Sequence, residues 1–226
     1  MRRAIILAAG KATRLGGENK LLVNAGGVPV ARWHERLLRG VPTTIVTRSE
    51  DVRAVADAAT WARVVPHDEL DGPVGALKAY RSIARYPDEE TIVLFADTLL
   101  VPQPLPNGSW VGLAPAPARV WDLPSPWGWT RGKPTLLVCV GIYAFADPAR
   151  LDAAIARLTV SPEVPFSELL DSYALTTQLN SNTVRGWHDA GDRDAIARVP
   201  DFEAVLLEDP PSRDGVVGWV DVALTR

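Results

Sequence analysis

The sequence predicts an α/β fold built on an open, mostly parallel sheet with helices on both faces. Three observations predict it: short runs that are apolar at nearly every position, amphipathic segments between them, and a regular alternation of the two over the first 100 residues. A short continuous apolar run suits a strand buried on both faces. Right-handed crossovers between successive parallel strands then place helices on both sides of the sheet.

Arg3 to Ala8 is the first such strand. Val30 to Leu38 follows Pro29 with apolar residues at helical spacing and is closed by Gly40, a helix with a proline before it and a glycine after it. Thr43 to Thr47 is β-branched and reads as a strand, Glu50 to Ala59 as a helix, and Ala62 to Val65 as a short strand. Val74 to Arg85 starts behind Pro73 and carries Leu77, Tyr80, Ile83 and Ala84 on one side, so it is helical. Thr91 to Ala96 is another buried strand and ends at Asp97.

The second half is less regular. Pro102 to Pro134 is rich in proline and reads as loops around one strand, Trp110 to Ala114. Leu136 to Phe145 is a long apolar strand. Asp147 caps a helix with Pro148 at its first position, running to about Leu158. Further helices are expected at Phe166 to Ser172 and Asp192 to Val199, and a terminal strand at Val216 to Leu224. With neither repeat nor long linker, residues 1–226 are expected to form one domain of Rossmann-like type with a smaller Pro/Trp-rich subregion attached.

Composition narrows the function classes. The 226 residues include 24 Lys and Arg against 27 Asp and Glu, a net charge of −3. With 47% hydrophobic and 23% charged residues, the chain is neither disordered nor built to hold nucleic acid by bulk charge. The single cysteine, Cys139, excludes an internal disulfide framework and fits a reducing, cytoplasmic setting. The apolar run after Arg2 and Arg3 stops at Gly10, too early for a signal peptide or a membrane span, so no membrane partner is expected.

The chemistry sits directly after the first strand. Leu7-Ala8-Ala9-Gly10-Lys11-Ala12-Thr13-Arg14-Leu15 is a small-residue turn, and Asn19-Lys20 lies close behind. Such a turn at the carboxyl end of a parallel strand lets backbone N–H groups approach a phosphate. Arg14 and Lys20 can then neutralise a triphosphate from two directions. Neither the dinucleotide Gly-x-Gly-x-x-Gly nor the Walker loop is present.

This opening resembles the signature of the sugar-1-phosphate nucleotidyltransferases, Leu-Ala-(Ala/Gly)-Gly-x-Gly-Thr-Arg-(Leu/Met) followed by a lysine and Gly-x-Pro, here Gly27-Val28-Pro29. Ala12 stands where the family has a second glycine, and because alanine disfavours positive φ a slightly reshaped loop is expected. Asp71-Gly72-Pro73-Val74-Gly75-Ala76-Leu77 is similar to the family's base-contacting segment, and Phe95-Ala96-Asp97-Thr98 to the strand end whose aspartate holds Mg²⁺. Trp187-His188-Asp189-Ala190-Gly191 resembles the Trp-x-Asp-x-Gly element that gives the second metal ligand. Gly141-Ile142-Tyr143-Ala144-Phe145 looks like the strand near the sugar. The family's Glu-Lys-Pro element is represented by Gly132-Lys133-Pro134, which lacks the glutamate.

The resemblance implies transfer of NMP from an NTP to a sugar 1-phosphate, with release of pyrophosphate. It implies catalytic roles for Arg14 and Lys20, and nucleotide contacts from Leu7, Ala8, Ala9, Gly10, Lys11, Thr13 and Gly75. It further implies Mg²⁺ on Asp97 and Asp189, and sugar contacts from Lys133 and Tyr143. Residues 1–100 would be the nucleotide half, 101–200 the sugar and metal half, and 201–226 a tail that closes the sheet or pairs with a second copy in a homo-oligomer. Because the nucleophile is already an anionic phosphate, no general base is required.

Rival readings stay open at this level. The spacing Leu15-Gly16-Gly17-Glu18-Asn19-Lys20 also resembles the cofactor cytidylyl- and guanylyltransferases of molybdopterin and methylerythritol type. A catalytically weak nucleotide-binding regulatory module is a third. Asp97 could instead cap a helix, Asp189 could serve a turn, and Tyr143 could be core. Trp110, Trp121, Trp127 and Trp129 could stack on a ligand, fill a loop-rich subregion or form a subunit interface.

Overall fold

The computed structural model describes residues 1–69, 71–84, 89–115, 137–161, 164–184 and 186–207. In chain order its strands are β1 (Arg2–Ala8), β2 (Asn24–Ala25), β3 (Val28–Pro29), β4 (Thr43–Thr47), β5 (Arg63–Pro66), β6 (Glu90–Phe95), β7 (Thr98–Leu100), β8 (Trp110–Pro115), β9 (Leu137–Phe145), β10 (Asn180–Thr183) and β11 (Trp187–Asp189). The helices are α1 (Val30–Leu37), α2 (Val52–Ala58), α3 (Gly72–Ile83), α4 (Pro148–Ala156), α5 (Phe166–Ala174), α6 (Arg193–Ile196) and α7 (Phe202–Leu207).

Seven strands form one sheet in the order β10-β8-β9-β6-β1-β4-β5. β1 is parallel to β4 and β6, β4 to β5, and β10 to β8; only β9 runs against its neighbours β6 and β8. The expected open, mostly parallel sheet is therefore present. Successive residues of β1 feed opposite faces: Ala4, Ile6 and Ala8 enter one core, and Ile5 and Leu7 the other. The first core takes Trp33 and Leu37 of α1, Val55 of α2 and Phe202 of α7. The second takes Val74, Leu77 and Tyr80 of α3 with Leu151 of α4 and Leu169 and Tyr173 of α5. Helices thus cover both faces, as crossover handedness requires.

The elements missed in the sequence are short. β2, β3, β7, β10 and β11 hold two to four residues each, too few to show a period. The helix expected from Glu50 opens instead as a 3-10 turn, Ser49–Asp51, before α2. The one expected over Asp192 to Val199 contracts to α6, with the Asp192 carboxylate accepting from Ala195 N at 2.8 Å. Trp110 is buried in the first core and donates its indole N–H to Pro106 O at 3.1 Å, so of its three possible uses it takes the packing one. Trp121, Trp127, Trp129, Lys133 and the strand expected over Val216 to Leu224 lie outside the described residues. Among the described residues no helix is long and apolar enough to cross a membrane.

One core residue gives the fold a pH signature. His34 on α1 is 1% exposed, and its Nε2–H donates to Ala96 O at 3.1 Å. Burial pushes its imidazole from 6.5 down to about 4, against the weaker opposing effects of that hydrogen bond and of the Asp97 charge. As pH falls below 6.5 the unfolded chain takes up a proton that the folded chain refuses. Stability contributed above pH 6.5 is therefore lost progressively towards pH 4, by about 3 kcal/mol in all. His34→Gln is expected to flatten this part of the profile, measured as urea midpoints at pH 7 and pH 4.5. An equally steep loss in the variant would show that His34 is not its source.

Candidate active site

β1 and β6 run side by side in the same direction, with Leu7 in register with Phe95, so the turns after both strands emerge at one edge. There they border a cleft of about 780 Å³. One wall is Leu7 to Lys11 with Arg14 and Lys20; the other is His67, Glu69, Gly72, Pro73 and Ala76; Phe95, Ala96 and Asp97 complete it. Ligands of open parallel sheets bind at this edge.

The first wall keeps its backbone bare. At Gly10 the position a Cβ would occupy has no heavy atom within 4 Å, so the chain there faces open space. Ala12 adopts φ 48°, ψ 37°, the left-handed conformation, and accepts hydrogen bonds from Leu15 N at 2.8 Å and Gly17 N at 3.1 Å. Alanine is thus held in the region that glycine favours, anchored by the buried Leu15. That costs on the order of 1 kcal/mol. Ala12→Gly is expected to raise Tm by roughly 2–4 °C, read by thermal unfolding; a fall would mean the position carries no strain.

Past the 3-10 turn Thr13–Leu15, Gly16 and Gly17 both take positive φ, 74° and 89°. The chain then enters a second 3-10 turn, Lys20–Leu22, capped by Asn19, whose Oδ1 accepts from Leu21 N at 3.1 Å. That turn aims Lys20 at Asp97, and Lys20 Nζ donates to Asp97 Oδ2.

Asp97 sits in the two-residue turn between β6 and β7, so no helix follows for it to cap. β7 pairs antiparallel with β11, with Thr98 opposite Asp189, and Ala190 N donates to Asp97 O at 2.8 Å. The two aspartates, far apart in sequence, are thereby neighbours. Gly191 N donates to Asp189 Oδ1 at 2.7 Å, so the turn role of Asp189 and its place beside Asp97 hold together. Burial, followed by the charge of Asp97, raises the Asp189 carboxyl above its usual range; the Gly191 N–H, Lys20 and Arg14 oppose that rise. Two anions and two cations belong to one electrostatic cluster. Among the described residues no three His, Cys, Asp or Glu side chains gather as a metal cage. A two-carboxylate donor set suits Mg²⁺, which usually keeps several waters and takes its remaining oxygens from substrate phosphates.

Other expected site residues fall elsewhere. Gly75 is buried in α3, where an added Cβ would collide with the Asp71 carboxyl; of the two α3 glycines, Gly72 borders the cleft. Asp71 also accepts from His67 Nε2 at 2.8 Å, which fixes both residues at that wall. Thr13 is exposed on its turn and does not border the cleft. Tyr143 is 5% exposed and packs against Phe95 and Phe166 in the second core. Burial raises its phenol well above the usual value. His67, Glu69 and Phe95 had no site assignment from sequence; their one signal was position, just before the α3 proline or at the end of β6.

Residues 4–157 match the MobA-like NTP transferase domain, which covers β1 through α4. The chain belongs to the MobA-like NTP transferase family. This MobA-like chain is 31% identical over 125 residues to a molybdenum cofactor guanylyltransferase of Pseudomonas paraeruginosa, 53% of this chain and 60% of the relative. The chain thus spans about 60% of the length of that curated relative. In fold it is similar to a protein of Bacillus anthracis assigned as a glucose-1-phosphate thymidylyltransferase, in complex with sucrose (TM-score 0.73, 17% identity, 93% of this chain and 98% of that one). It is also similar to the UTP-bound UGPase of Acinetobacter baumannii (TM-score 0.65, 16% identity, 93% and 95%). At those identities the structural likeness speaks for the α/β fold alone.

Proposed function

We propose that this MobA-like chain transfers NMP from an NTP to a phosphomonoester acceptor. The observation that carries the reading is the convergence of Asp97 and Asp189 with Lys20 beside the bare Gly10 turn. An acceptor phosphate oxygen bonds to the α-phosphorus, the bond from that phosphorus to the bridging oxygen of the β-phosphate breaks, and pyrophosphate leaves. Backbone N–H groups of Ala9 to Lys11 cradle the triphosphate. Lys20 takes the α-phosphate and the incoming phosphate, and Arg14 the departing pyrophosphate. Asp97 and Asp189 would hold Mg²⁺, which supplies charge neutralisation between the two polyanions. Positioning and electrostatics do the rest, since the nucleophile arrives ionised.

For the acceptor, the loop favours the cofactor type. Its two left-handed glycines and the Asn19 cap follow the spacing Arg14-Leu15-Gly16-Gly17-Glu18-Asn19-Lys20, and the sequence relatives are guanylyltransferases of molybdenum cofactor. GTP and molybdopterin are therefore the first pair to test. A sugar 1-phosphate is the second reading, favoured by the Trp187-x-Asp189-x-Gly191 element, whose Gly191 N–H fixes the carboxylate; Lys133 is a sugar contact in that reading only, and the buried Tyr143 does not support it. Pyrophosphate release is measured with Mg²⁺, each of the four NTPs, and either molybdopterin or a panel of sugar 1-phosphates. Release with molybdopterin and not with any sugar supports the first reading, and the converse supports the second. Nucleotide binding without turnover on any acceptor would instead favour a regulatory module.

A further inference from the structure

We infer that Asn19 is a positioning residue that acts through Lys20, a role that rests on the nucleotidyl-transfer reading. Asn19 is 3% exposed and lies where the phosphate turn, β1, β4 and α2 meet. Its Nδ2 donates to Thr47 Oγ1 at 2.8 Å and to Asp51 Oδ2 at 3.0 Å, with Ala8 O further off at 3.4 Å. Its Oδ1 accepts from Leu21 N at 3.1 Å. One amide therefore ties the residues on both sides of Lys20 to the ends of two central strands.

Arg48 closes the arrangement from behind. Its Nε donates to the same Asp51 oxygen at 2.7 Å, and its Nη2 to Gly17 O at 2.9 Å. The segment from Gly17 to Leu21 is thus held at three points, while Lys20 alone projects into the cleft toward Asp97. The chemistry of position 19 is fixed by its partners. Thr47 can pass its own hydroxyl proton to Ala8 O at 3.5 Å, and Asp51 can only accept when ionised, so residue 19 must be the donor. A carboxylate there would face the Asp51 carboxylate at hydrogen-bond distance. A lysine displaced by about 1 Å loses much of its effect on a transferring phosphoryl group, on the order of a hundredfold.

The test is a double-mutant cycle in the full chain. Asn19→Ala and Asn19→Asp are made with Lys20 present and in the Lys20→Met background. Each is assayed with Mg²⁺, with molybdopterin or the panel of sugar 1-phosphates as acceptor and with GTP, ATP, CTP and UTP in turn for pyrophosphate release, for nucleotide affinity by calorimetry, and for thermal unfolding. With Lys20 present, kcat is expected to fall about a hundredfold while KM for the NTP changes less. In the Lys20→Met background the same substitutions are expected to cost no more than about twofold, since the group they position is gone. Equal costs in both backgrounds would overturn the inference and leave Asn19 a structural residue. If Asn19→Ala does not fold, Asn19→Asp decides, because it keeps the shape and the acceptor for Leu21 N. A wild-type protein that neither binds nor turns over any NTP would remove the nucleotidyl-transfer reading itself, and the role of Asn19 with it.

Discussion

Replacing Asp97 by asparagine is expected to lower pyrophosphate release by about a thousandfold, the largest effect of any single substitution in the cleft. Asp97 is the point where three parts of the site meet. Its carboxylate accepts from Lys20, its carbonyl from Ala190, and after burial its charge is the next cause that raises the neighbouring Asp189 carboxyl. Asparagine keeps the size and the backbone bond but removes the charge that Lys20 faces and that a divalent ion would require. The fold should survive, since Asp97 belongs to neither hydrophobic core. Steady-state turnover and a thermal melt on the same preparation read both halves. Wild-type turnover in Asp97→Asn would remove the acidic pair from the mechanism.

Lys20→Met comes second, with an expected loss of about a hundredfold to a thousandfold in kcat. Methionine retains the length of the aliphatic stem and discards the ammonium. In the cleft that ammonium is the only one among the described residues paired to Asp97. A cation that meets charge developing on the α-phosphate in the transition state affects kcat, whereas one that holds the ground-state triphosphate affects KM. The assignment of Lys20 to the transferring phosphate predicts the first pattern. A change confined to KM would reassign it to ground-state binding.

How much of this was legible in the sequence differs from one element to the next. β1 and β6 were visible because burial on both faces leaves an apolar residue at nearly every position, β4 because all five of its residues are β-branched, and Asp97 stood out as the first charge after an apolar run. The pairing of β7 with β11 was not visible, because three residues carry no period. Yet that ribbon brings Asp189 to Asp97; Asp189 was reached through a family resemblance, not through hydropathy. The nucleotide contact at Gly75 is implied by the family resemblance alone, and in the structure its missing Cβ makes room for Asp71. Tyr143 illustrates the ambiguity of a β-strand. The period of two says that alternate residues share a face but not which face looks onto the ligand, and the aromatic contacts with Phe95 and Phe166 place it inside. Asn19 stood in the sequence only as the motif neighbour of Lys20, with nothing to show what it holds. Its partners Thr47 and Asp51 lie 28 and 32 positions away, and only the folded chain assembles them.

The adjacency of Leu7 and Phe95 in β1 and β6 has a consequence for how much substitution the cleft can tolerate. Hydrogen-bonded strands lie about 4.8 Å apart whatever their side chains, so the two anchor points of the site are set by a backbone ruler. Exchanging one aliphatic residue for another beneath them leaves that graduation untouched. Inserting a single residue into β6 would reverse the direction of every side chain beyond it and turn the acidic corner away from the cationic turn. The working distance is inherited from peptide geometry, the one part of the molecule that substitution cannot rewrite.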